Sequence, residues 1–412
     1  MFVSLLLLWS LTPDASSVET LVQQLNAPAV EVREQAEKSL LEMGPELLPL
    51  LPDAKKQPAE IRLRLSRIRI RLEGAKSIGT LTESKISSPP AFGTLTELLG
   101  KIQRETGNTI LPPKGTVVTD VPEKEAKQVA FWPFFDTLCD ALKLDMEPGK
   151  ERVWQLVRSR RATLRQGNQT AYLGPFRMEP IKMTTTVLPT QGSVATQMQL
   201  ELAWEPRLMP IYGSMTLDRL VFSDGTVAKL LPRTHELPMG KDEIRTVLEV
   251  PLSLEQPKTL REQQGFTVSG TFEAVVAGPS VPFTFEDLES KNDREFAPVS
   301  RRTAGVLVTL TGLRTEENSL VATIRYRYEE TYEAMESHRL WVYDHPAWLA
   351  DADGEKILSD RYEMLRQTNR EIAVDLYFPM PESLAGKTLV YPRADGIYKV
   401  AYPFTLSEIP LP

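Results

Sequence analysis

This 412-residue chain is short of the residue types that carry most catalysis and metal binding, with one cysteine and three histidines. A single cysteine excludes an internal disulfide framework and any cysteine-rich zinc site. Three histidines leave little material for acid-base work near neutral pH. Basic excess is also missing. The net charge of -7 argues against a dedicated nucleic-acid binder. The apolar run inside Phe2 to Leu11 falls short of the ~20 residues a bilayer span needs. No Gly-x-Ser-x-Gly elbow or phosphate loop occurs. What is present is 32 prolines and 22 glycines, with 42% hydrophobic and 25% charged residues, which fits soluble globular protein rich in strands and turns. At ~100–200 residues per domain, two to four domains are expected.

The apolar stretch with Leu5-Leu6-Leu7-Leu8 is followed by the small residues Ala15-Ser16-Ser17. This pattern predicts a signal peptide over residues 1–17, cut near Ser17, and a periplasmic or otherwise exported protein.

Residues 18–75 read as helices. Pro28-Ala29 starts one, with Val32, Ala36, Leu40 and Met43 along a face before Gly44-Pro45 stops it. A later helix carries Ile61, Leu65, Ile68 and Leu72 on one stripe, with Leu63 and Ile70 nearly opposite. A helix apolar on two sides is expected to be packed from two sides. The string from Val32-Arg33-Glu34 through Ala36, Leu40, Met43-Gly44-Pro45 and Leu47-Leu48-Pro49-Leu50-Leu51 resembles a HEAT repeat. One repeat implies a short helical cap, since solenoids usually need about three.

Residues 76–158 form a second region, entered through a linker at Ser87-Ser88-Pro89-Pro90, with Ile86 placed on a first strand. Thr94 and Glu97 make a capping box ahead of Leu95, Leu98, Leu99 and Ile102 at helical spacing. Thr106-Gly107-Asn108 ends that helix, and Thr109-Ile110-Leu111 extends. A second helix starts near Trp132-Pro133, with Phe135, Leu138, Cys139 and Leu142 on one face, before a hairpin turned at Pro148-Gly149. Leu98-Leu99-x-x-Ile102, Glu105-Thr106-Gly107-Asn108 and Phe134-Phe135-Asp136-x-Leu138-Cys139-x-Ala141-Leu142 resemble the secretin and TonB short N-terminal domain. The resemblance implies a small βαβ-type module that binds neighbouring subunits or signalling partners. No outer-membrane barrel follows it, so pore or receptor activity is not implied.

Beyond residue 158 the apolar period becomes two. Met198, Leu200, Leu202 and Trp204 alternate with Gln197, Gln199, Glu201 and Ala203. Leu248, Val250, Leu252 and Leu254 do likewise, as do Phe266, Val268 and Phe272. Residues 159–299 are expected to form one antiparallel β-sandwich. A second is expected over 300–412, with Val306, Val308 and Leu310, then Ala322, Ile324, Tyr326 and Tyr328, then Ile372, Val374, Leu376 and Phe378. Tyr398, Val400, Tyr402 and Phe404 are assigned to its last strand. Asp224-Gly225, Asp353-Gly354 and Asp395-Gly396 supply turns.

The candidate chemistry is thin. His338 and His345, seven apart with Asp344 between them, fall on opposite faces of a regular strand and lack a third zinc ligand. A metal-dependent hydrolase would need them to converge. Asp351-Ala352-Asp353-Gly354-Glu355 lacks the third early ligand of a calcium loop and reads as a hairpin turn. Cys139 reads as core. Arg62, Arg64, Arg67, Arg69 and Arg71 crowd one helix, either facing an anionic partner or covering apolar surface with their stems. Trp341, Tyr343 and Trp348 would anchor a partner or stack on sugar if exposed, and Tyr343 shares strand parity with Trp341.

The sequence therefore predicts a multidomain α+β chain, with a short HEAT-like helical region, a small βαβ-type module and two antiparallel β-sandwiches. The expected function is non-catalytic. It is that of an exported bacterial envelope protein acting through protein-protein contacts, without cofactor, metal, nucleic acid or membrane span, and with peripheral association with the envelope left open. The possible partner surface comprises the five arginines and three aromatics. The alternatives are a carbohydrate-binding or carbohydrate-processing envelope protein and the His338/His345 hydrolase.

Overall fold

In the computed structural model, residues 14–87, 94–115, 128–159, 169–188, 193–228, 234–240, 242–254, 265–289, 296–336 and 338–411 are described. They form a mixed but strand-rich fold with several antiparallel sheets and a few helices. The chain passes repeatedly between two units. The first comprises Met1–Thr80, Gly278–Thr331 and His345–Gly396; the second comprises Leu81–Ala277, Tyr332–Asp344 and Ile397–Pro412.

The first unit opens with α1 (Ala15–Gln24), α2 (Val30–Glu42) and α3 (Ala59–Thr80). Their apolar positions meet in one cluster that includes Val18, Val22, Ala36, Leu40, Leu47, Leu65 and Ile68. Val32 departs from the expected face and is exposed, leaving Ala36 and Leu40 to hold α2. Gly44, at φ +77, turns the chain into a 3-10 helix at Pro45–Leu50. α3 runs past residue 75 to Thr80. Near its end Glu73 accepts from Ala304 N at 2.7 Å, and Ser77 Oγ donates to Asp395.

The second unit begins with a small module: β1 (Lys85–Ser87), α4 (Leu95–Thr106), β2 (Ile110–Leu111), β3 (Gln128–Ala130), α5 (Phe131–Leu142), β4 (Leu144–Pro148) and β5 (Trp154–Arg158). The predicted capping box is present. Thr94 Oγ1 accepts from Glu97 N at 3.3 Å, and Glu97 Oε2 accepts from Thr94 N at 3.0 Å. Gly107 closes α4 in the left-handed region, φ +75. β2 runs parallel to β5 and β4 antiparallel to it. Both helices press Leu98, Ile102, Phe131, Phe135, Leu138 and Cys139 into one core with Trp154 and Leu156.

The rest of this unit is built on β6 (Ala171–Leu173), β7 (Phe176–Leu188), β8 (Ser193–Trp204), β9 (Met209–Phe222), β10 (Val227–Ala228), β11 (Thr234–Pro238), β12 (Arg245–Leu254) and β13 (Gly265–Ala277). One sheet runs β12-β8-β7-β6. The other runs β10-β9-β13 and continues to a strand from the far end of the chain, with β11 also beside β9. Phe176, Met198, Leu200, Trp204, Met215, Val268 and Phe272 fill the core they share. Gly270 sits at a register shift, where any side chain would collide with the Thr216 carbonyl. Alternation fails at two predicted positions, Glu201 and Ala203, both of which are buried. Ala203, assigned to the outer face, is fully buried because the small module packs there. The side chains of Leu252 and Leu254 lie outside the described residues.

β14 (Ser280–Phe285), β15 (Val299–Thr303), β16 (Val306–Glu316), β17 (Ser319–Tyr328), β18 (Trp348–Ala350), β19 (Lys356–Leu358), β20 (Arg361–Gln367), β21 (Glu371–Pro379) and β22 (Thr388–Ala394) return to the first unit. They pair as β14-β22-β18-β19 and β15-β16-β17-β21-β20. The predicted inward residues, among them Val308, Ile324, Tyr326, Val374 and Leu376, are buried. β23 (Ile397–Pro410) corrects the sequence reading. It carries Tyr398 to Phe404 as expected, yet pairs with β13 of the second unit, Phe272 opposite Tyr402. Alternation fixes that a strand exists, but its partner depends on contacts far away in sequence.

Leu138→Ala should destabilise the protein by about 2–5 kcal/mol, because it removes a buried side chain between α5 and the module core. Chemical denaturation checks this. The Cys139 thiol should stay unlabelled by a small thiol reagent in the native protein and react once the chain is unfolded.

Candidate partner-binding surface

Six basic and two acidic side chains lie on α3. Ile61, Leu65, Ile68 and Leu72 form its buried stripe. Leu63, Ile70, Gly74 and Ile78 share the opposite face at helical spacing. Leu63 is 60% exposed and Ile78 47%; Ile70 is half-buried. A Cβ built at Gly74 meets no atom within 4 Å. The expectation of packing on both sides therefore fails at the two ends of the second stripe, where Leu63 and Ile78 are exposed.

The arginines divide into two groups. Arg64 donates to Glu60 at 2.7 Å and to Glu37 at 2.8 Å, and Arg67 donates to Glu37 at 2.7 Å. The hydrogen bond from Arg64 holds the Glu60 carboxyl below its ordinary range. Arg69 reaches the Leu51 carbonyl at 3.3 Å. Arg62 and Arg71 are exposed, and their side chains make no ion pair among the described residues. Arg64, Arg67 and Arg71 also line an open concavity of about 540 Å³, whose α2 wall carries Glu34, Glu37, Lys38 and Glu42.

A second concavity, about 980 Å³, lies at the β2-β5-β4 sheet of the small module. Its lining mixes Lys114, Lys150 and Arg158 with Glu147 and Glu151, beside the apolar Leu111, Val153 and Val157.

The predicted aromatics do not act as one exposed strip. Leu340–Tyr343 is a 3-10 helix, so the expected strand parity of Trp341 and Tyr343 does not apply. Trp341 is buried and donates from Nε1 to the Ala334 carbonyl at 2.6 Å, and Tyr343 is half-buried. Trp348, on β18, is half-buried with Lys356 Nζ 4.5 Å from its ring centroid.

The same turn overturns the opposite-face argument for the histidines. His338 is an exposed neighbour of Glu336, at 3.6 Å. His345 is buried in the first unit. Asp351 Oδ1 accepts from the backbone N of Asp353 and of Glu355, at 3.1 and 2.9 Å, which uses the carboxylate inside the turn. Among the described residues no group of three or more His, Cys, Asp or Glu could hold a metal ion, and no helix is long and apolar enough to cross a membrane.

Several buried polar residues escaped the sequence reading. Tyr391 Oη accepts from Arg393 Nε at 2.9 Å and lies 2.7 Å from His345 Nδ1. Arg393 Nη2 also meets Nδ1 and donates to Tyr326 Oη at 3.3 Å. Arginine can only donate, so Nδ1 is the acceptor where Arg393 meets it. In the second unit Arg177 donates to Asp136 at 2.8 Å and to Glu179 at 2.6 Å. Burial alone would lower the guanidinium's pKa, but Glu179 and Asp136 outweigh it and raise it. The sequence signal, Phe176-Arg177-Met178-Glu179, is the same as that of a solvent-facing strand edge.

Burial pushes the Tyr391 phenol well above its ordinary value and Tyr326 upward too, against the opposing charge of Arg393. A raised phenol is held neutral in the fold, while the unfolded chain ionises at about 10. This contribution is therefore complete below that pH and is lost as pH rises beyond it. Denaturation midpoints should fall above pH 10, and Tyr391→Phe should flatten that fall.

No protein-family model matches this chain, and no curated protein is significantly similar to it.

Proposed function

We propose that this is a non-catalytic, exported bacterial envelope protein that works by binding another envelope protein. In this reading the α1–α3 region is a single HEAT-like repeat and the small module is of the secretin and TonB short N-terminal type. The two facing sheet pairs are antiparallel β-sandwiches that serve as scaffold. The capped α4, its Gly107 stop and the α5-to-hairpin order support the module assignment. The shared apolar core between sheets supports one sandwich. Tyr326 of β17 and Tyr391 of β22, with centroids 6.1 Å apart, support the other.

The observation that carries the binding reading is the outer face of α3. A helix already anchored by four buried apolar residues presents Leu63 and Ile78 to solvent, with Ile70 half-buried between them, beside uncommitted arginines. Exposed apolar side chains flanked by arginine are compatible with a protein-protein contact, where arginine is enriched. Leu63→Asp should leave stability within about 0.5 kcal/mol, as for other exposed positions. It should also remove specific partners that co-purify with the wild-type protein from a native envelope fraction, read by quantitative mass spectrometry. Retention of every partner would refute this reading.

Export is supported by the onset of burial. Asp14 to Ser17 are exposed, and Val18 is the first buried residue among those described. Cleavage near Ser17 would therefore leave the α1 core contacts in place. N-terminal sequencing of protein from cells should find a start near Val18; an intact Met1 in the cytoplasmic fraction would contradict it.

A further inference from the structure

We propose that the occupant of the outer face of α3 is an acidic amphipathic helix belonging to the partner. This deepens the binding reading above and rests on it. Leu63 and Ile78 are separated by about 22 Å along the axis at 1.5 Å per residue, a length matched by roughly four turns of a second helix. Gly74 lies between them with open space over its Cα, so a partner backbone can approach closely there.

Charge selects the partner's chemistry. The chain carries -7 overall, yet α3 has six basic residues against two acidic ones. Its two acids are engaged, Glu60 with Arg64 and Glu73 with Ala304 N. Arg62 flanks the apolar stripe on one side and Arg71 on the other, with Arg67 beside Arg71. A helix with leucines at i, i+3, i+4 and i+7 and carboxylates on both flanks would match apolar to apolar and place acids at Arg62 and Arg71.

Two other occupants fit less well. A second copy packed about a two-fold axis would bring Arg67 and Arg71 toward their own equivalents. An anionic lipid surface presents charge everywhere, and would set it against Glu34 and Glu42 on the neighbouring α2 wall. A helix can place its carboxylates at the arginines alone.

The test uses the mature full-length protein and two fluorescent 18-residue synthetic helices. Both carry the leucine stripe; one has Glu on its flanks and the other Lys. Anisotropy titration should show the Glu peptide binding at least tenfold more tightly, with the ratio shrinking as salt rises. The Arg62→Glu/Arg71→Glu protein should invert the preference, and Leu63→Asp should abolish Glu-peptide binding. Far-UV circular dichroism and denaturation verify that each variant is folded. Equal binding of the two peptides, or an unchanged preference in the double variant, would overturn the proposal. So would self-association, or uptake by phosphatidylglycerol vesicles, that depends on Leu63. If Leu63→Asp loses envelope partners while the peptides are not distinguished, the acidic-helix proposal falls and the binding reading stands. If no partner is lost, the binding reading falls as well.

Discussion

The carboxylate of Glu205 is fully buried, and the second unit is organised around it. It accepts from Ser84 N at 2.8 Å, Asn108 Nδ2 at 2.9 Å and Arg207 Nε at 2.7 Å. An ionised group can be taken out of water only when paired and hydrogen-bonded. The entry to the small module, the end of α4 and the β8–β9 turn must therefore arrive together. Trp132 and Trp154 add bonds to the Pro175 and Trp204 carbonyls, at 2.9 and 3.4 Å. Arg177 ties α5 to β7 through Asp136. The module is fixed to the sheet by polar groups whose loss would leave charges stranded.

This fastening also explains where the sequence could be read and where it could not. Local rules located α4 from Thr94 to Gly107, the α5 face from Phe135 to Cys139, and the inward alternation of Ile324, Tyr326 and Tyr328. Each depends on neighbours a few residues away. Glu201 and Ala203 had outward parity, and parity cannot register that a separate module covers that face. β23 was recognisable as a strand but not as the partner of β13. The turn at Leu340–Tyr343 defeated strand parity because a short 3-10 segment has no period of its own to detect. The arginine helix was partly legible. Its two apolar stripes were visible, but only the structure distinguishes the covered stripe from the open one.

The same contrast carries the functional account. Glu205, Arg177, Arg393 and Asp375 are all held by neighbouring side chains in the interior. Such networks make a stiff frame, because moving one member exposes the rest to an unfavourable environment. α3 differs. One side anchors it in the helical core, and the other carries apolar and cationic groups outward. A helix held on one face is a suitable platform for docking, because little ordering entropy remains to be lost on binding.

The most direct measurement of this account places a photoreactive amino acid at position 63 of the protein in living cells, with position 365 on exposed β20 as control. The expected result is a discrete protein adduct through position 63, containing an acidic helical segment of the partner, and none through position 365. Illumination that yields no adduct at position 63, or the same products at both positions, would contradict it.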